Sequence, residues 1–277
     1  MDNFIELSQV GRVVTVTLNR PESHNAMNPA MIRLLRDVFV DIEGRDDVRV
    51  VVLTGHGRSF CAGADLAFMR AAADYNFEQS VADGEAIFDL MMRVDRCPKP
   101  VVGRVNGAAI GGGVGLVSCC DVVVAVERAQ FGFSETRLGI LPAVISPFIL
   151  AKIGAGHGRE LFLTGERFDA HHARRIGLIH HVVGEAELDD KVNERVAQLL
   201  QAAPGAQAAA KELIRAVAYQ PKEAMRQYTA ELIAQRRASD EGREGMNAFL
   251  EKRRPSWQVK GSRGAEEQGS RGARERG

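Results

Sequence analysis

The sequence predicts an α/β protein with a helical C-terminal part. Short, almost wholly apolar runs such as RVVVLTG and DVVVAV alternate with stretches of helical spacing through the first half, the pattern of strands buried in a sheet between helices. From about Pro142 the texture changes to helical patterns, with one strand-like run, GLIHHVV. At 277 residues the chain is long enough to bury a full core.

The elements follow in order. FIEL and the run over residues 12–18 read as strands, with a turn at Gln9–Gly11. MNPAMIRLLRDVFVDIE places Met31, Leu34, Leu35, Val38 and Ile42 at helical spacing. RVVVLTG is a buried-type strand over residues 49–55, and GRSFCAGADL a loop of small residues. A long helix is expected from about Phe77 to Val94, stopping before PKP, then a strand in PVVGRVNG, a short buried helix in GGGVGLVSCC and a strand in DVVVAV. ISPFILAKI, GRELFLTG, DAHHARRIG, ELDDKVNERVAQLLQA, AQAAAKELIRAVA and EAMRQYTAELIAQRR all carry helical patterns. The expected organisation is a core domain over residues 1–200, a helical part over 201–259 and a tail over 260–277. That tail is charged, Gly-rich and of low complexity, so it is expected to be disordered.

Composition narrows the function. Lys+Arg 36 balances Asp+Glu 36, so no basic field calls for nucleic acid. Cys61, Cys97, Cys119 and Cys120 form no C-x-x-C pair and have apolar neighbours, as expected of buried thiols in a reducing compartment. The start, MDNFIELSQVGRVV, does not read as a signal peptide, and no apolar stretch is long enough to span a membrane. A cytoplasmic protein without nucleic-acid or membrane partners is expected. The His171–His172 and His180–His181 pairs have no acidic or cysteine partners at ligand spacing, so no metal site is expected.

Three consecutive glycines, Gly111 to Gly113, need a reason. They could cradle a phosphate, let helices pack closely, or aim bare N–H groups at a reacting oxygen. No Gly-Lys-Ser/Thr follows, and the spacing does not make a dinucleotide fingerprint. GRSFCAGADL is a second small-residue loop after a strand. Two such loops converging would form an oxyanion hole, suited to a thioester carbonyl passing to an enolate.

TLNRPESHNAMN, VVLTGHGRSFCAGADL, KPVVGRVNGAAIGGGVGL, CCDVVVA, AQFGFSETRLGILP, LTGERFDAHHARRIGLIHHVV and AFLEKRRPSW together resemble the crotonase, or enoyl-CoA hydratase/isomerase, superfamily, in order and over nearly all of Phe4 to Trp257. The resemblance implies a spiral of ββα units with a C-terminal helical part that forms homotrimers, commonly paired into hexamers. It implies an acyl-CoA substrate and no separate cofactor, coenzyme A being part of the substrate. The oxyanion donors fall on the N–H groups of Ala64 and Gly112. Coenzyme A contacts fall on Glu22, Ser23 and His24, on Ala62, Asp65 and Leu66, and on Phe249 and Lys252.

The acid/base positions depart from the pattern. Hydratases of this family use two glutamates; here the first position holds Gly115 and the second holds Glu135. Gly115 either leaves room for a bulky acyl group or marks a hydratase working with one carboxylate. After LP, where many relatives have a glycine-rich turn, this chain has AVISP. SETRLGILPAVISPFIL and LTGERFDA resemble methylglutaconyl-CoA and carboxygeranoyl-CoA hydratases of branched-chain and terpenoid breakdown. The expected reaction is hydration of a branched or carboxylated enoyl-CoA. Two alternatives are a double-bond isomerase, which needs only one base, and a non-enzymatic acyl-CoA or RNA-binding relative.

Overall fold

In a computed structural model that describes residues 4–258, the chain opens with a hairpin of β1 (Ile5–Val10) and β2 (Val13–Leu18). The turn sits on Gly11 and Arg12 rather than on Gln9–Gly11. Gln9 and Val10 remain paired with Val14 and Val13, and Gly11 takes the positive φ, 58°, that a two-residue hairpin loop needs at its first position. Helix α1 (Pro29–Glu43) follows. The Asn28 side chain accepts the Met31 N–H, and Pro29 supplies a preset φ at the first position. Met31, Ile32, Leu35, Phe39 and Ile42 are its buried face, so the apolar stripe is offset from the expected one. Leu34 lies on the neighbouring ridge and faces solvent, one residue being a rotation of about 100°.

A strand–strand–helix unit then repeats. The strands are β3 (Val50–Gly55) with β4 (Ser59–Cys61), β5 (Val101–Val105) with β6 (Ala108–Ile110), and β7 (Val122–Val126) with β8 (Gln130–Gly132). The helices after these pairs are α2 (Leu66–Ala72) and α3 (Phe77–Arg96), α4 (Gly112–Cys119), and α5 (Ser146–Thr164). Next come β9 (Arg167–Asp169), α6 (Ala170–Arg175), β10 (His181–Val183) and α7 (Leu188–Gln201). Each repeat sends its first strand to a six-stranded sheet of order β1-β2-β3-β5-β7-β10. Its second strand goes to a four-stranded sheet of order β4-β6-β8-β9. β4, β6 and β8 are mutually parallel. This is the crotonase-like arrangement. The half after Pro142 is less purely helical than its sequence implies, because β9 as well as β10 lies in it. Strand β4 likewise lies inside the expected GRSFCAGADL loop. Three-residue strands are too short to show an alternation, and they are held by partners far away in sequence.

β3 is buried at every residue, and the core runs through β3, β5, β7 and the inner faces of α1 and α3. All four cysteines are buried within it. The chain divides into two compact units, one ending at Leu200 and the other beginning at Gln201. The second contains α8 (Pro204–Val217), α9 (Arg226–Ala238) and α10 (Asp240–Leu250). The expected tail over 260–277 lies outside the described residues.

Two close backbone approaches tie the repeats together. A Cβ on Gly63 would lie 2.8 Å from the Ile110 carbonyl oxygen, and one on Gly113 would lie 2.2 Å from that of Cys61. Neither carbonyl can retreat without disturbing its strand. Gly113→Ala is therefore expected to destabilise the protein by about 1–3 kcal/mol or more, read as a lower denaturant midpoint. Gly112→Ala should be milder, because its Cβ would meet the flexible end of Met27 at 2.6 Å.

Candidate active site

The three parallel strands β4, β6 and β8 each end just before one predicted catalytic position. Ala64 lies three residues beyond Cys61, Gly112 two beyond Ile110, and Glu135 three beyond Gly132. Residues far apart in sequence thus meet at one edge of one sheet, since ligands collect at the carboxyl ends of parallel strands. Ala64, Gly112 and Glu135 line the same cavity of about 160 Å³.

Neither the Ala64 N–H nor the Gly112 N–H donates to a backbone carbonyl among the described residues. Met27 donates to the Gly63 carbonyl and accepts from the Asp65 N–H, forming a parallel bridge with Ala64. That pattern turns the N–H of Ala64 away from Met27. Gly112 is the first residue of α4, where helix geometry leaves the N–H without an intrahelical acceptor. The α4 N-terminus adds positive potential beside it. Gly111 takes φ 51° and ψ −119°, a backbone state suited to glycine.

Glu135 enters from a 3₁₀ turn over Ser134–Leu138. The turn is fastened on both sides. Thr136 Oγ1 donates to the Phe162 carbonyl (2.8 Å) and Arg137 Nε to the Thr164 carbonyl (3.0 Å). Phe133 packs edge-on against Phe162 at 4.8 Å. The carboxylate itself lies over Gly111, with Oε1 3.0 Å from where a Cβ there would be. Oε2 is buried without a hydrogen-bond partner. Burial raises the Glu135 pKa above the ordinary glutamate value, only partly offset by a backbone hydrogen bond.

The three glycines therefore have three different reasons. Gly111 clears the carboxylate and bends the chain, Gly112 presents an N–H, and Gly113 admits the Cys61 carbonyl.

The rest of the lining is apolar: Met27, Ile32, Phe68, Ile87 and residues 141–145. Met27, Ile32 and Ile87 were not singled out from the sequence. Ile87 sits on α3 among ordinary core spacing, and only the AVISP departure pointed to the 141–145 turn.

The predicted coenzyme A positions of the first unit lie on the segment around residues 22–24 and on the loop that carries Ala64. Glu22 and Ser23 belong to a 3₁₀ turn closed by His24 at φ 53°. His24 Nδ1 is 3.0 Å from Ser59 Oγ, and its carbonyl accepts the Ala62 N–H. Leu66 is exposed. Asp65 is engaged within the protein. Its carboxylate accepts from the Ala67 and Phe68 N–H groups and pairs with Arg20 at 3.0 Å. Burial pushes its pKa up, but the Phe68, Arg20 and Ala67 hydrogen bonds outweigh that and hold it below the usual value. Asp65 thereby fixes the loop carrying Ala64. Phe249 and Lys252 belong to the second unit, Phe249 exposed near the end of α10 and Lys252 at φ 55° just beyond it.

The model of the enoyl-CoA hydratase/isomerase family matches residues 9–260. The chain belongs to that family. It is an enzyme of the enoyl-CoA hydratase/isomerase family. An enoyl-CoA hydratase from Shewanella pealeana superposes with TM-score 0.89 at 37% identity, over 92% of this chain and 96% of that one. AtuE of Pseudomonas aeruginosa gives TM-score 0.89 at 38% identity, over 92% and 100%. The short-chain-enoyl-CoA hydratase of Clostridium acetobutylicum is 32% identical over 91% of this chain and 96% of its own length. Membership in the enoyl-CoA hydratase/isomerase family agrees with the loops' geometry, and no helix of the described residues is long and apolar enough to cross a membrane.

An ionised Glu135 is only partly compensated where it is buried, so replacing it should stabilise the fold. With its folded pKa above the unfolded value, wild-type stability from this group is present below the ordinary value of 4.5 and lost as pH rises through the folded pKa. Glu135→Gln should melt higher than wild type at pH 8, with the gap closing as pH falls toward that value. Calorimetry across pH checks this; a gap that widens on acidification would contradict it.

Proposed function

We propose that this enzyme adds water across the 2,3 double bond of an enoyl-CoA, with Glu135 as its acid/base group and the N–H groups of Ala64 and Gly112 as its oxyanion hole. The observation that carries the reading is the buried, unpartnered Oε2 of Glu135 in the cavity that Ala64 and Gly112 also line. Glu135 takes a proton from water as its oxygen bonds to C3. The π electrons move through C2 to the thioester oxygen, where the two N–H groups hold the developing charge. The enolate then collapses, C2 takes the proton from Glu135, and the carboxylate is restored. A raised pKa suits a group that must both accept and return a proton near neutral pH. No separate cofactor enters this chemistry.

The acyl group we propose is short and branched. The modest apolar cavity supports it, as does the name of the Clostridium acetobutylicum relative. No cationic side chain among the described residues lines the cavity, which favours a branched hydrocarbon over the carboxylated methylglutaconyl type. Coenzyme A would run along residues 22–24, 62 and 66. A homotrimer or a hexamer, in the cytoplasm, completes the proposal. Ile214, Tyr219, Ile233, Phe249 and Leu250 are exposed apolar side chains within the second unit, where the family's assembly surfaces lie.

One observation favours a second reading. Among the described residues, Glu135 is the only titratable side chain lining the cavity, and moving a proton between C2 and C4 of a 3-enoyl-CoA needs only one base.

The deciding assay incubates the enzyme with crotonyl-CoA, a branched 2-enoyl-CoA and a 3-enoyl-CoA, and identifies products by mass and chromatography. Expected is a 3-hydroxyacyl-CoA from the 2-enoyl substrates. Brisk double-bond shift with no hydroxyacyl product would replace hydration by isomerisation. Gly112→Pro should lower turnover by roughly 10² or more through loss of one donor. The first helical position accepts proline, so the variant should remain folded. Normal turnover in that variant would remove Gly112 from the oxyanion hole.

A further inference from the structure

Gly115 and the AVISP segment are separate departures in the sequence but meet in space. A Cβ on Gly115 would lie 2.5 Å from Ile145 Cγ2, 3.2 Å from Ile145 Cβ and 3.0 Å from Met91 Cε. The room left by the missing side chain is thus already filled by protein, and it does not extend the acyl cavity. Ile145 and Met91 are both buried. Ile145 also lines the cavity beside Gly112 and Glu135, so one side chain faces both the empty helix position and the substrate space.

The backbone fixes Ile145 in place. The Ala143 N–H donates to the Leu141 carbonyl at 2.8 Å, and the Ser146 N–H to the Ala143 carbonyl at 3.2 Å. Ser146 Oγ reinforces that turn at 2.7 Å. The Ile145 carbonyl accepts the Ile149 N–H at 3.2 Å as α5 begins. Met91 closes the other side, with its sulfur 3.9 Å from Cys119 Sγ. A β-branched side chain in such a frame has little rotamer freedom, so it cannot swing aside for a longer residue at 115.

We propose that Gly115 and Ile145 form one exchange unit, in which Ile145 occupies the volume of a second carboxylate and is the specificity-determining residue of the site. Bulk has moved from the helix position to the turn position, and the moved bulk is hydrocarbon. That wall can hold no water by hydrogen bonds, so water is handled on the Glu135 side alone. The same wall meets the acyl chain with branched apolar surface. This inference rests on the reading of Glu135 as the acid/base group.

Two sets of variants test it. The packing half uses Gly115→Ala, Ile145→Ala and the double substitution, each followed by melting temperature. Gly115→Ala should be strongly destabilising alone and much less so once Ile145 is truncated. Additive losses would overturn the exchange. The chemical half uses Gly115→Glu/Ile145→Gly, with and without Glu135→Gln, assayed for hydration of crotonyl-CoA and for double-bond shift. In the wild-type background Glu135→Gln should lower hydration by roughly 10²–10⁴. In the double-substituted background the loss should be at least about tenfold smaller, because the introduced carboxylate can hold and activate water. An equal loss in both backgrounds would overturn the specificity role of Ile145. A wild-type enzyme that never hydrates would defeat the proposed function instead, while the melting cycle would still decide whether the two positions exchange volume.

Discussion

Bare backbone packed against bare backbone is the constraint on which this site depends. At Gly63 over Ile110 and at Gly113 against Cys61, any Cβ would collide with a carbonyl oxygen. These contacts set the spacing between the loop after β4 and the loop after β6. Through that spacing, Ala64 and Gly112 line one cavity. Their surroundings are made rigid by other means. Asn25 side-chain amide hydrogens donate to the His56 and Ser59 carbonyls, and its oxygen accepts the Arg20 N–H. Arg20 in turn reaches Asp65 and the Ala26 carbonyl. The donors are held by a network in which they do not themselves take part, so they stay free for a ligand.

The third β strand of the small sheet contributes the opposite kind of group. Glu135 brings a carboxylate into apolar surroundings, where desolvation disfavours its charge. Thr136 and Arg137 anchor the backbone on either side through the carbonyls of Phe162 and Thr164. The turn is thus well bonded while the carboxylate is left short of partners. Such a local conflict between stability and chemistry is expected at functional sites. It also explains why the neighbouring positions are so permissive in volume and so restrictive in shape: Gly111 yields to the carboxylate, and Gly115 yields to Ile145.

Much of this was legible in the sequence, though unevenly. The long strands β3, β5 and β7 and the helices α1 and α3 follow from apolar runs, from helical spacing and from PKP as a stop. The resemblance to the crotonase superfamily pointed to Ala64, Gly112 and Glu135. What brings them together was not legible, because β4, β6 and β8 are each three residues long and carry no periodic signal. Gly115 and AVISP were each visible as departures. Their relation was not, since a clash between residues thirty positions apart is a property of packing. Asp65 shows a different limit. A motif names the residue, but only its bonds to Arg20, Ala67 and Phe68 show that its carboxylate is occupied.

The convergence of three strand ends on one thioester is tested most directly by a crystal structure with a bound, unreactive acyl-CoA analogue. The thioester oxygen should sit about 2.7–3.1 Å from the nitrogens of both Ala64 and Gly112. The α-carbon should face the Glu135 carboxylate, and the acyl chain should lie against Ile145. A carbonyl oxygen bound away from either nitrogen, or an acyl chain lodged outside the cavity of Met27, Phe68 and Ile145, would contradict it.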